Sequence, residues 1–461
     1  MKIFPAPCSG RNKIISGALR KATVIVTMIA ALFMVGELSP RPATVFAADY
    51  ATIKFYPSPA CVGVEDTIYL KMSGWSWGTL GTKWTSDNSS IAAASGQGVV
   101  TGKGAGTTNL RLKDGFGQII KTVPVTVKPE MADCAPFYMP GADLTPPEYA
   151  SGSDSFSFVF VSDTQGCGAC SMAGGANLVD HDFAKAFANR IITESTAFVV
   201  TGGDLSGLGG MSSDPYARQW LDDISIVWKP DQYAIPIYAV VGNHDLTRWV
   251  LGESWKSKQA DWQKILWPGY FADGGKPWPT NSSRDYRYLT YSFSYGNSVF
   301  IFTDTLFMWG NTGNDKDWQG NMMIQELNPA QVAYVKYMLR WAKENNKEHA
   351  FIFGHSPYLP SGSTTAKGNN QAMTSSTLLS AYNLSGAYMS GHTNGLTHRS
   401  FGGMALPYEQ FTAETGGGDT NPNSYLRVNI NGRSFSVKAD FLKHGSTEWS
   451  STADATWEFY R

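Results

Sequence analysis

The sequence predicts an α+β protein in two parts, a small all-β sandwich followed by a larger domain of alternating strands and helices. Three observations carry that expectation. Between Tyr50 and Lys128 the runs DTIYLKM, TNLRLKD and KTVPVTVK alternate apolar and polar residues between Gly, Asn, Asp and Ser clusters, the period of half-buried strands. After Asp154 five apolar runs, SFSFVFVSD, TAFVVTGGD, IPIYAVVGNHD, HAFIFGHSP and GAYMSGHTN, each end in a polar or histidine-bearing turn. Helical stretches lie between them. In NPAQVAYVKYMLRWAKENN, Asn328 stands as N-cap, Pro329 takes the first helical position, and Val332, Val335, Leu339 and Ala342 share one face.

Taken in order, the chain opens with Lys2, Arg11, Lys13, Arg20 and Lys21 ahead of the apolar run ATVIVTMIAALFMVG, then small residues around Ala47-Ala48. This is the pattern of a secretory signal over residues 1–47, cut after Ala47 or Ala48. The apolar run is short of the roughly 20 residues of a full membrane span, and no other segment could span. Without residues 1–47 the chain keeps 31 basic and 37 acidic residues, a balance of −6. A basic footprint for nucleic acid or an anionic membrane is therefore not expected. Cys61, Cys134, Cys167 and Cys170 remain, an even number that suits an exported chain. Three connectivities are open. The pairing expected is Cys61–Cys134 with Cys167–Cys170, the second loop stiffening a turn beside Gln165. The location expected is secreted or periplasmic.

Residues 50–128 form the predicted sandwich. Residues 129–153 are Pro- and Gly-rich and read as a linker pinned by Cys134. Residues 154–461 make the larger domain, closed by a β-hairpin at YLRVNINGRSFSVKADFL.

The strand ends carry the chemistry. They are Asp163-Thr164-Gln165, Gly203-Asp204, Gly242-Asn243-His244-Asp245, Gly354-His355 and Gly391-His392-Thr393-Asn394. Singly, an Asp or Asn there caps a helix or makes an Asx-turn, and Asp180, His181 and Asp182 are read as such caps. Five ends bearing carboxylate, amide or imidazole beside glycine point instead to a divalent-metal site at one sheet edge.

The string KWTSDNSSIAAASGQGVVTGKGAGTTNLRLKD resembles the bacterial Ig-like group 2 family. The order Asp-x-Gln, Gly-Asp, Gly-Asn-His-Asp, Gly-His and Gly-His-x-Asn resembles the calcineurin-like metallophosphoesterase superfamily over roughly residues 154–405. That resemblance implies a four-layer α/β/β/α sandwich and two divalent metals (Mn, Mg, Fe, Zn or Ca). It implies hydrolysis of a phosphate ester by attack of metal-bound water. Asp204 would bridge the metals. Asn243, His355 and His392 would complete one set, and Asp163, Gln165 and Asn394 the other. His244, held by Asp245, would contact the phosphoryl group or protonate the leaving oxygen. Arg248 is a candidate phosphate contact. The second set offers only oxygen, with Gln165 and Asn394 where relatives carry histidine, so Zn²⁺ should be disfavoured there. His398 either replaces a missing ligand or packs against Phe401. Gly207 stands where the purple acid phosphatase branch carries a tyrosine ligand. Trp309 and Trp318 could wall a substrate pocket.

The implied substrate is a phosphate ester, with monoesters slightly preferred over diesters. The Ig-like module is compatible with a cell-surface or glycan contact. The rival reading is a surface-binding protein whose phosphoesterase domain is catalytically weakened.

Overall fold

The computed structural model describes residues 53–73, 81–96, 98–140, 144–164, 181–205, 235–240, 242, 280–281, 284–285, 290–305, 327–357, 381–392, 396–401, 408–412, 423–442, 448–451 and 455–460. Residues 1–47, read above as a signal, lie outside them, as do Gln165, Cys167, Cys170, Asp180, Gly207, Asn243, His244, Asp245, Arg248, Trp309, Trp318 and Asn394.

Two seven-stranded sheets form the larger part of the chain. In the first, Ser155–Val161 lies between the parallel strand Val199–Thr201 and the antiparallel strand Asn423–Asn431, with Ile237–Ala239 parallel to Val199–Thr201. In the second, Ser298–Phe302, His349–Phe353, Ser385–Ser390 and Tyr408–Thr412 run parallel, with Tyr291–Tyr295 antiparallel to the first of these. The parallel runs are continuous apolar stretches because both faces are covered.

Aromatic side chains join the sheets. Alternation along Ser155–Val161 sends Phe156, Phe158 and Phe160 to one face. Phe158 meets Phe300 at 5.2 Å and Phe351 at 5.1 Å, and Phe160 meets Phe353 at 5.9 Å. On the neighbouring strands, Phe198 meets Phe300 at 4.9 Å. Ring pairs of this kind add to the large apolar area each ring buries.

Helix Pro329–Glu344 follows its sequence signals. Asn328 accepts from the Gln331 N–H at 2.9 Å, Pro329 opens the first turn, and Val332, Val335, Leu339 and Ala342 are buried. It meets the second sheet where the Tyr334 hydroxyl bonds Ser292 Oγ at 2.7 Å. Helix His181–Ile191 meets the first sheet through Phe187 and Tyr425 at 5.3 Å. The C-terminal hairpin pairs Asn423–Asn431 with Ser434–Leu442. Its two-residue turn has Gly432 at φ 58, as a type II′ turn requires at its first central position.

Ahead of these sheets, Ala60–Gly63, Ile119–Lys128, Gly106–Lys113 and Lys83–Ser86 form a four-stranded sheet. Thr67–Tyr69, Val99–Gly102 and Ala92–Ser95 form a three-stranded one. Val62, Ile68, Trp84, Val100, Leu110, Val123 and Val125 fill the space between. Cys61 and Cys134 are disulfide-bonded.

The segment read as a linker is more built than its composition suggests. Met131–Cys134 and Ala135–Tyr138 are helical turns, with Met131, Cys134, Ala135 and Tyr138 buried. The Tyr138 hydroxyl donates to Cys61 O at 2.6 Å and accepts from Cys61 N–H at 2.8 Å. Glu148–Tyr149 already pairs with Tyr291–Tyr295, so the second sheet begins before residue 154. Ion pairs reach the long helix from these turns, Arg340 with Asp133 at 2.7 Å, and from the connection before Thr67–Tyr69, Lys336 with Asp66 at 2.5 Å.

One buried histidine ties the two large sheets. His349 Nε2 lies 2.8 Å from Gly432 O, to which it can donate, and Nδ1 lies 2.5 Å from the Ser385 hydroxyl, which can donate to it. Burial holds its pKa below the ordinary 6.5, outweighing the Gly432 carbonyl. The nearby charges Glu348 and Arg433 face each other at 3.6 Å. A depressed histidine pKa means that the unfolded chain takes up the proton first. This contribution to stability is complete above 6.5 and is lost as pH falls from there towards the folded value. The melting midpoint should fall between pH 7 and 5, and His349→Asn should flatten that slope in a pH series of thermal melts.

Among the described residues no helix is long and apolar enough to cross a membrane.

Candidate metal centre

Four predicted residues meet at the carboxyl ends of parallel strands. Asp163 follows Ser155–Val161, Asp204 follows Val199–Thr201, His355 follows His349–Phe353, and His392 follows Ser385–Ser390. Backbone bonds stitch the ends together: Asp163 N–H to Gly203 O at 2.9 Å, Gly391 N–H to His355 O at 2.9 Å, and Gly202 N–H to Val161 O at 2.7 Å. Asp163, Asp204 and His392 all have left-handed backbone, with φ of 56, 54 and 72. Such conformations cost on the order of 1–3 kcal/mol each and gather at functional sites.

Glycine appears at these ends because the backbones come too close for a side chain. A Cβ on Gly242 would stand 2.1 Å from Asp204 Oδ1 and 2.2 Å from its backbone nitrogen. The absence of a side chain on Gly242 therefore lets its backbone sit against the Asp204 carboxylate.

His355 Nδ1 lies 2.8 Å from Gly202 O and can donate to it, an arrangement that aims Nε2 inward. Nε2 lies 3.2 Å from Asp204 Oδ2 and 3.2 Å from His392 Nδ1. One ligand atom from each of Asp204, His355 and His392 falls within 4.8 Å of the others. Asp163 sits alongside, both carboxylate oxygens accepting the His392 backbone N–H at 3.1 and 3.0 Å. Asp163, Asp204 and His355 are buried, and His392 is half-buried.

The electrostatics call for a cation. Burial pushes the Asp163 pKa up to about 7, with the Asp204 charge adding to it, against His355, Ser162 and the His392 N–H. For His355, burial works downward, but the Asp204 carboxylate prevails and raises it to about 9. Two imidazole nitrogens 3.2 Å apart beside a buried carboxylate need a proton or a metal ion between them. The donor set of nitrogen and carboxylate oxygen, with His355 already oriented through its far nitrogen, fits a divalent cation.

The loop after His355 is gripped from two sides. Thr305 Oγ1 accepts the Ser356 N–H at 2.9 Å, and the Tyr388 hydroxyl donates to Ser356 O at 2.6 Å. His398 is not at the cluster. It lies opposite Phe411 in the strand pairing, stacks on that ring at 4.6 Å and meets Trp457 at 5.1 Å. The replacement-ligand expectation does not fit that placement. Cross-strand register brings Phe411 to its face.

Two neighbours escaped the sequence reading. Asp304 lies two residues beyond Phe302, which pairs with Phe353, and so comes level with His355. The buried Gln331 amide accepts the Asp304 N–H at 2.8 Å and donates to Asp304 O at 2.8 Å. The run SVFIF ending in Thr-Asp was the available signal, but it lacked the glycine or histidine that marked the other ends. Ser162, beside Asp163, is the second.

The calcineurin-like phosphoesterase profile matches residues 156–395, more than half of the chain. The chain belongs to that family. Its solved structural neighbours include a dimetal phosphatase from Danio rerio, at 15% identity, 65% of this chain, 99% of that one and a TM-score of 0.41. A purple acid phosphatase from yellow lupin (Lupinus luteus) seeds matches at 13% identity, 85% of this chain, 67% of that one and a TM-score of 0.43. No curated protein sequence matches the chain significantly.

Proposed function

We propose that this protein is an exported metal-dependent phosphoesterase, with monoesters preferred over diesters. The observation that carries the reading is the buried cluster of Asp204, His355 and His392 with Asp163 beside it. In this reading Asp204, Asn243, His355 and His392 would hold one metal ion, and Asp163, Gln165 and Asn394, with Asp204 again, the other. When bound, such ions supply Lewis acidity and a water that ionises near neutral pH. His355 keeps the tautomer that its bond to Gly202 O fixes, so its donor atom needs no reorientation. His244, oriented by Asp245, gives a proton to the leaving oxygen. Arg248 contacts the phosphate, and Cys167 pairs with Cys170.

An α/β/β/α layering belongs to the same reading, supported by one helix contact on each sheet. So does an Ig-like module facing the cell surface or a glycan. Residues 129–153 would then couple module and catalytic domain.

The purified protein loaded with Mn²⁺ or Mg²⁺ should hydrolyse a chromogenic phosphomonoester faster than the matching diester, and EDTA should remove both activities. Failure on both substrates with either ion would favour a surface-binding protein instead. A faster diester rate would reverse the stated preference.

A further inference from the structure

Ser162 is fully buried, and the phosphoester chemistry above makes no use of it. Its hydroxyl donates to Asp163 Oδ2 at 2.5 Å, with Gly203 O 3.4 Å away. Two glycines make room for that oxygen. A Cβ on Gly391 would stand 1.9 Å from Ser162 Oγ, and one on Gly202 would stand 2.6 Å from it. Gly391 directly precedes His392 and Gly202 lies two residues before Asp204, so the hydroxyl sits where three strand ends converge. The His392 backbone N–H binds the same Asp163 carboxylate. Two donors therefore fix the carboxylate that leaves the first strand.

We infer that Ser162 is the positioning residue for Asp163 and thereby sets the affinity of the second, oxygen-only metal site. This rests on the phosphoesterase reading. There the second set is Asp163, Gln165 and Asn394 together with the shared Asp204. Asp163 is its one charged member not shared with the first metal, and neutral amides cannot make up for a carboxylate that turns away. The first set has His392 and His355, the latter oriented through Gly202 O instead. Losing an outer partner of a ligand weakens metal binding by roughly 10–100-fold. Because the His392 N–H still holds Asp163, the lower end is expected.

The test is calorimetric titration of Mn²⁺ into the metal-free full chain, comparing wild type, Ser162→Ala, Ser162→Cys and Ser390→Ala. Ser390 is the matched control, a buried serine whose hydroxyl makes no hydrogen bond among the described residues. Wild type should show two steps. Ser162→Ala should weaken the weaker step by roughly tenfold and leave the tighter one within about twofold. Its turnover should drop at low Mn²⁺ and recover at high Mn²⁺, a rescue that loss of a merely structural contact would not give. Ser390→Ala should match wild type in both steps. Should Ser162→Ala not fold, Ser162→Cys keeps the volume with a weak donor and reads the same step. Two unchanged steps, or both weakened together, would overturn the inference, as would a wild type with a single step. A wild type that takes up no Mn²⁺ and hydrolyses no ester points to failure of the phosphoesterase reading itself.

Discussion

Asp204→Asn is expected to lower kcat by roughly 10³-fold, a barrier increase of about 4 kcal/mol, and to lower metal stoichiometry with it. The variant isolates charge from shape. Asn has the same outline, tolerates the left-handed backbone that Asp204 adopts at φ 54, and fits the narrow space against Gly242. What it loses is the anion that faces His355 Nε2 at 3.2 Å. In the proposed centre Asp204 would serve both ions, so its neutralisation should depress both affinities rather than one. That separates Asp204 from Ser162, whose loss should spare the tighter step.

The measurements are metal content by elemental analysis, Mn²⁺ affinity by calorimetry and turnover of a chromogenic phosphomonoester. The thermal melt of the metal-free protein checks that the fold survives. An Asp204→Asn variant with two tightly bound metals and wild-type turnover would remove Asp204 from the centre of the proposal.

What the sequence displayed of this site, and what it hid, follows from the range of the forces involved. Apolar runs closed by polar turns are local, and they marked Asp163, Asp204, His355 and His392 before any pairing was known. The helix after Asn328 was equally legible, because cap, proline and apolar spacing all lie within one segment. The C-terminal hairpin was legible in the run YLRVNINGRSFSVKADFL, but its antiparallel place beside Ser155–Val161 depends on residues some 270 positions apart and has no local mark. Ser162 looked like any polar residue at a strand end. Its role appears only when Gly202 and Gly391, brought in from other strands, leave their space to its hydroxyl. His398 was judged by its sequence neighbours, whereas register gave it Phe411. The turns at 131–138 looked like linker because Pro and Gly composition says nothing of a tyrosine that bonds a cysteine 77 residues away.

That last contact motivates the second large effect. Replacing Cys61 and Cys134 together with Ala should destabilise the N-terminal sheets by about 4 kcal/mol, the chain-entropy value for a closed loop of this length, the two cysteines being 73 residues apart. Sheets this small have little apolar core to spare. A loss of that size should lower their melting midpoint by roughly 15 °C or more. The bridge also fixes the turn that carries Asp133, which pairs with Arg340 of the long helix. Loosening it should therefore free the module from the helix as well as from its own staple. The Tyr138 hydroxyl still grips Cys61 through backbone atoms, so the segment keeps one tether after the sulfurs are gone. Asp163, Asp204, His355 and His392 all follow strands that begin at Ser155 or later, so Mn²⁺ affinity should stay within about twofold of wild type. Calorimetric melts with and without reductant, read beside the Mn²⁺ titration, check both halves. A double variant that melts within about 2 °C of wild type would show that the bridge holds little. One that loses metal affinity would show that module and metal centre form a single cooperative unit.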